Sequence, residues 1–176
     1  MRVAQLGETL ELLRAMWTTN PASYHGQYYH VDAADSSPLP DPMIPLLVGA
    51  HGKKALQVTG RLADIWIWDM CDTYPDLVHT VRQACAEAGR APTALKLYAE
   101  AQVDFPHDPA DFVPYEELQQ YPGMGRTYHL GPTPQAAIEQ LKPYRDLGVE
   151  QFIVSGTVEE LRRFNDEVAP AVDGWE

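Results

Sequence analysis

Residues 44–68 read I-P-L-L-V-G-A-H-G-K-K-A-L-Q-V-T-G-R-L-A-D-I-W-I-W, and this stretch decides the fold. Ile44 to Val48 is a compact apolar run that stops at Gly49-Ala50-His51-Gly52. Ala55, Leu56, Val58 and Leu62 then recur at helical spacing, and Ala63 to Trp68 returns to a β-prone run. A short, nearly all-apolar strand, a helix and a second such strand form one unit of a parallel sheet buried on both faces.

Downstream the alternation continues. Thr73-Tyr74-Pro75-Asp76 supplies a cap and an early proline, and Leu77, Val78, Val81, Cys85 and Ala88 carry a helix to Gly89, which suits the position just past a helix end. Leu95 to Val103 is the third strand. Residues 104–131, rich in proline and glycine and without a clean period, read as an irregular insertion with a short helix around Tyr115 to Gln119. Thr133-Pro134 opens a helix with Ala137, Ile138, Leu141 and Tyr144 inward and Gly148 at its close; Gln151 to Val154 is the fourth strand and Val158 to Val168 the last helix. Upstream, Val3, Leu6, Leu10, Leu13 and Trp17 mark a helix that ends before Asn20-Pro21. Ser23 to Val31 reads as an aromatic hairpin or arm, and the proline-rich run from Ser36 to Pro45 as a strap into the first buried strand. The reading is therefore α/β: residues 1–176 as a single domain of about four βα units, either a small open sheet or half of a (β/α)₈ barrel. A complete barrel typically needs about 250 residues, and this chain has 176.

Composition narrows the partners. Twenty-five Asp and Glu against thirteen Lys and Arg give a net charge of −12, which repels phosphate backbones and anionic lipid, so neither nucleic acid nor a membrane surface is expected. No apolar run approaches the roughly 20 residues of a membrane span, and Glu8 and Glu11 interrupt any leader-like region. Cys71 and Cys85 form no C-x-x-C, so a cysteine zinc site is not indicated, and the cytoplasm is the default compartment.

Within this frame, Gly49-Ala50-His51-Gly52-Lys53 is the leading candidate site. It lies where a parallel strand ends and a helix begins, where free amides and close backbone approach suit an anion, and Lys53 and Lys54 add positive charge. The same residues also fit a tight turn that merely needs small side chains. Trp66 and Trp68 share one face of their strand; Trp66 suits packing, and Trp68 either packing or the wall of a planar ligand. Asp69, Cys71 and Asp72 follow at the strand end without a histidine, so no metal site is expected there. Glu100, flanked in L-Y-A-E-A-Q-V by apolar residues and sharing parity with Tyr98 and Gln102, either faces a cavity or pairs with a neighbouring Lys or Arg. His25 and His30 lack further ligand types nearby and read as surface groups; His79, His107 and His129 carry less weight still. Arg61 and Asp64 flank the helix-to-strand turn R-L-A-D and read as a structural ion pair. No G-x-S-x-G elbow is present.

Taken in order, R-V-A-Q-L-G-E-T-L-E-L-L-R-A-M-W, Y-H-G-Q-Y-Y-H-V, P-L-P-D-P-M-I-P-L-L-V-G-A-H-G, A-L-Q-V-T-G-R-L-A-D-I-W and T-P-Q-A-A-I-E-Q-L-K-P-Y-R-D-L-G-V-E-Q-F-I-V resemble the bacterial luciferase-like family of flavin- and deazaflavin-dependent oxidoreductases. The resemblance implies a TIM barrel of about twice this length, of which this chain would hold the C-terminal half, strands five to eight. It implies FMN or the deazaflavin coenzyme F-420 as cofactor, with its phosphate against Gly49, Ala50, His51, Gly52 and Lys53, where the family usually carries a second glycine in place of Ala50. Trp68 and Glu100 would lie on the substrate side for a small-molecule substrate. No catalytic residue follows, because relatives draw many of theirs from the N-terminal half. The expectation is a fragment with little activity of its own, or else a non-catalytic half-barrel module, that self-associates or pairs with an N-terminal half.

Overall fold

The computed structural model describes residues 1–114 and 128–172. Helix α1 (Arg2–Thr18) leads into the antiparallel hairpin β1 (Ala22–His25) and β2 (His30–Ala34). Strand β3 (Leu47–Gly49), α2 (Lys53–Leu62), β4 (Ile65–Asp69), α3 (Tyr74–Glu87) and β5 (Lys96–Val103) follow. After these come β6 (His129–Leu130), α4 (Pro134–Asp146), β7 (Val149–Ser155), α5 (Val158–Arg163), a π-helical turn at Phe164–Val168 and α6 (Ala169–Val172). The expected helix near Tyr115 to Gln119 lies outside the described residues.

The sheet runs β3-β4-β5-β6, with β7 also paired to β5. Both β6 and β7 are parallel to β5. These βα units are those of a partial (β/α)₈ barrel, one of the two alternatives that the order of elements leaves open. The described end of the stretch read as an irregular insertion forms a short strand, β6. Met70 N–H donates to Glu100 C=O, and on the same edge Gln102 N–H donates to Tyr128 C=O, so β6 takes up the edge of β5 where β4 leaves it.

The chain forms two compact units, Met1–Trp66 with His79–Lys96, and Ile67–Val78 with Leu97–Glu176. In the first, α1 packs on α2 and on the hairpin. Glu8 of α1 reaches the hairpin turn, its carboxylate accepting from the amides of Gln27, Tyr28 and Tyr29 at 2.8, 2.7 and 3.2 Å. Strand β3 is shorter than Ile44 to Val48. Pro45 has no amide to donate, and the Leu46 N–H bonds the carboxylate of Asp64 at 2.9 Å rather than a strand. Asp64 also takes Arg14 at 3.0 and 3.1 Å, while Arg61 faces Glu11 at 3.6 Å. The expected pair of Arg61 with Asp64 is thus replaced by two pairs, each to a different residue of α1.

In the second unit, Leu97, Ala99, Ala101 and Val103 are buried on one face of β5, with Tyr98 and Glu100 half-buried and Gln102 exposed on the other. Helix α4 covers β6 and β7 with Ala137, Leu141 and Tyr144. Thr133 caps α4, and Gly89 and Gly148 take positive φ of 71° and 88° past the ends of α3 and α4, as their sequence positions indicate. Thr157 and Glu160 form a capping box at the start of α5.

Candidate functional site

The turn between β3 and α2 belongs to the first unit. Gly49, His51, Gly52 and Lys53 are exposed and Ala50 is buried. Gly52 caps α2 with no side-chain hydrogen bond, and its carbonyl accepts from Ala55 and Leu56. The amides of Lys53 and Lys54 therefore open the helix without a backbone acceptor among the described residues. Gly52 has an ordinary φ of −73°, and a Cβ added there would meet nothing within 4 Å. Neither backbone strain nor packing within the chain demands glycine at this position. The open side of the turn presents the first α2 amides and two lysines, a chemistry suited to an anion. Trp66 holds the turn from beneath: it is fully buried, and its indole N–H donates to Ala50 C=O at 2.7 Å.

The second unit carries a pair of carboxylates. In a parallel ladder the residue whose carbonyl accepts from position 70 stands opposite position 69, so Met70 N–H to Glu100 C=O sets Asp69 beside Glu100 on one face of the sheet. Burial, and then the charge of Asp69, push the Glu100 carboxyl above the ordinary range; burial does the same for Asp69. No Lys or Arg pairs with Glu100 among the described residues, so of its two expected roles the ion pair is absent. Tyr98 and Gln102 lie on the Glu100 face, as parity requires.

The structure does not bring Trp68 and Glu100 together on one face. Trp68 is half-buried, and strand alternation puts it on the opposite face of β4 from Asp69, hence from Glu100. The register of β4 on β5 determines this, and no single strand's sequence contains it. Cys71 is half-buried with a thiol raised chiefly by burial, and Tyr144 donates its hydroxyl to the Cys71 carbonyl at 3.1 Å. His25 faces Asp32 at 3.1 Å on the exposed hairpin, and no cluster among the described residues could hold a metal ion.

Sequence reasoning passed over His129. It opens β6 opposite Gln102, which places it on the same sheet face as Glu100. Its Nδ1 lies 3.5 Å from the Asp104 carboxylate. The one available signal was its position shortly before Leu130-Gly131 and the α4 cap, too slight to reveal a two-residue strand.

A parallel sheet whose strands alternate with helices is that of a partial (β/α)₈ barrel. Residues 1–163 match the sequence model of the luciferase-like monooxygenases, and the chain belongs to this family. It is 25% identical over 201 residues to an F420-dependent glucose-6-phosphate dehydrogenase of Nocardia farcinica, covering 94% of this chain and 58% of that enzyme. Among solved structures, an F420-dependent secondary alcohol dehydrogenase in complex with an F420-acetone adduct superposes with a TM-score of 0.80 at 16% identity, over 97% of this chain and 62% of that one. An EDTA monooxygenase from Chelativorans sp. BNC1 does so with 0.75 at 14%, over 98% and 59%. The chain thus spans less than two thirds of the length of each.

Proposed function

We propose that this chain is the cofactor-phosphate and substrate-side portion of a luciferase-like oxidoreductase, using FMN or the deazaflavin coenzyme on a small-molecule substrate. The observation that carries the reading is Gly52, a glycine without an internal reason, at a helix start with two free amides and two lysines. Gly49, Ala50, His51, Gly52 and Lys53 would hold the cofactor's phosphate. The bound cofactor would supply hydride or oxygen chemistry. The protein's part is to fix the phosphate through the α2 amides, orient the Ala50 peptide through Trp66, and present Asp69 and Glu100 as carboxyls that keep their protons to higher pH than ordinary carboxylates. Free Cys71 and Cys85 accord with a cytoplasmic setting, and no helix among the described residues is long and apolar enough to cross a membrane.

Calorimetry with FMN, riboflavin and the deazaflavin tests the reading. FMN is expected to bind more tightly than riboflavin, and Gly52→Glu to abolish the difference by setting a carboxylate against the phosphate. Equal affinity for FMN and riboflavin in the unmodified protein would refute a phosphate at this turn.

A second reading is a half-barrel module completed by another chain. It is favoured by β7, which is hydrogen-bonded to β5 alone among the described strands and exposes Ile153. On this reading an N-terminal half, or a second copy, pairs with the free edge.

A further inference from the structure

Ala50 lies in the middle of the strand-to-helix turn and is buried, while its neighbours Gly49, His51 and Gly52 are exposed. Its carbonyl oxygen is held inside the protein, where it accepts the indole N–H of the fully buried Trp66 at 2.7 Å. The start of β4, which carries that indole, is tied to β3. Asp64 N–H and Ile65 N–H both donate to Leu46 C=O, at 2.9 and 3.1 Å, and the Asp64 carboxylate accepts Leu46 N–H at 2.9 Å. One residue earlier, the Ala63 carbonyl accepts Arg90 at 2.7 Å. The indole therefore stands on a fixed base.

The Trp66 bond sets more than a carbonyl. The Ala50–His51 peptide is trans, and in a planar trans peptide the C=O and N–H point in opposite directions. With Ala50 C=O directed onto the buried indole, His51 N–H is directed away from the core, toward the exposed side of the turn. Helix α2 begins two residues on, and its first amides, those of Lys53 and Lys54, open toward the same turn. Were the 50–51 peptide turned over, a carbonyl oxygen would face that side in place of an N–H, and its partial negative charge would repel an anion. Glycines at 49 and 52 leave the flanking backbone permissive, so the outward end of this peptide is decided by what holds its inward end.

We propose that Trp66 is a positioning residue for the cofactor phosphate: it presents His51 N–H as a third backbone donor beside those of Lys53 and Lys54, and keeps the Ala50 carbonyl turned inward. The inference rests on the phosphate reading above. It gives a neutral, enclosed side chain of the next strand a share in cofactor selection without any contact to the ligand.

The isotope-labelled chain, titrated with inorganic phosphate and followed by its amide resonances, reads this directly. The His51, Lys53 and Lys54 amides should shift together. In Trp66→Phe the His51 response should be largely lost while Lys53 and Lys54 still respond. By calorimetry, the preference for FMN over riboflavin should fall about 10-fold in that variant, the loss of one hydrogen bond to a charged group. A purely structural role would weaken both ligands alike and leave the preference intact. Because phenylalanine also leaves a void, benzothienylalanine placed at position 66, which has the shape of tryptophan with sulfur in place of N–H, repeats the measurement at constant packing and should show the same loss. A Trp66 indole proton that exchanges as fast as an exposed one would overturn the bond. A His51 response and an FMN preference that survive in both variants would overturn the role of Trp66 and leave the phosphate site standing. Silence of all three amides toward phosphate in the native chain, with no preference for FMN over riboflavin, would defeat the phosphate reading itself and this inference with it.

Discussion

Gly60→Ala separates a glycine that packing demands from one that it does not. Gly60 lies on α2 where that helix meets residues 81–85 of α3. An added Cβ would stand 2.6 Å from the Ala84 Cβ, 2.7 Å from the Val81 carbonyl oxygen and 2.8 Å from the Cys85 nitrogen, about 0.6 Å or more inside ordinary contact each time. Two of the three are backbone atoms, which cannot rotate away. The Gly60 carbonyl also accepts from Arg90 at 2.6 Å and from the Cys85 thiol at 3.2 Å, so sliding α2 outward stretches those bonds. Overpacking of this kind costs about 1–3 kcal/mol, and the strained hydrogen bonds about 0.5–1.5 kcal/mol each. Alanine's better helix propensity returns about 1 kcal/mol. The expected net loss is about 1–5 kcal/mol, roughly 2–20 °C in Tm for a domain of this size. Thermal denaturation followed by circular dichroism is the assay, with Gly52→Ala as the control. That site is open, so its stability should stay within about 0.5 kcal/mol of the parent. An unchanged or raised Tm for Gly60→Ala would refute the close-approach argument.

Other outcomes follow from the same geometry. Asp64→Ala should cost about 1–3 kcal/mol in urea denaturation, mainly by stranding the Leu46 amide; the half-exposed Arg14 pair adds at most about 1 kcal/mol, so Asp64→Asn should lose less. Because burial and Asp69 raise the Glu100 carboxyl, its ionisation opposes folding. The cost is absent below the ordinary carboxylate range, grows as pH rises from that range to the raised value, and is complete above it. Glu100→Gln should accordingly raise Tm at pH 8 but not at pH 4, and change turnover or its pH profile in a completed barrel; a large stability loss with normal kinetics would refute this. Finally, the free edge of β7 should make the isolated chain self-associate at micromolar concentration in light scattering, and a matching N-terminal half should restore a compact species. A cooperatively melting monomer that binds flavin unaided would refute that prediction.

Local patterns in the chain proved readable wherever one element's own residues determine it. The apolar periods of α1 and α4, the cap at Thr133, the glycines at 89 and 148 and the strand Lys96–Val103 are all of this kind. So is the turn at Gly49-Ala50-His51-Gly52, where strand end and helix start are adjacent in sequence. What stayed hidden depends on register or on distant partners. Strand β6 has two residues and exists because Gln102 and Asp104 have amides to offer it. Asp69 meets Glu100 only once β4 is aligned on β5, and the same alignment turns Trp68 away. Asp64 finds Arg14 fifty residues upstream, a pairing that no local spacing announces. The face that carries Glu100 is largely polar, which becomes visible only once the strands are aligned. Gln102, Gln151 and Ser155 are exposed there beside half-buried Glu100, with Ile153 the main exposed apolar group on β7.

The hydrogen bond from Trp66 to the Ala50 carbonyl has an optical consequence. An indole wholly shielded from water emits toward the blue, and its emission responds to the field along its N–H bond. Here that bond ends on the peptide leading into His51, so an anion drawn to the α2 amides would disturb the chromophore without touching it. Trp66 is in effect a native probe wired to the turn, and Trp66→Phe would identify its share of the signal. Titration with inorganic phosphate could then be followed by the protein's own light, before any flavin, with its strong absorption, enters the cuvette.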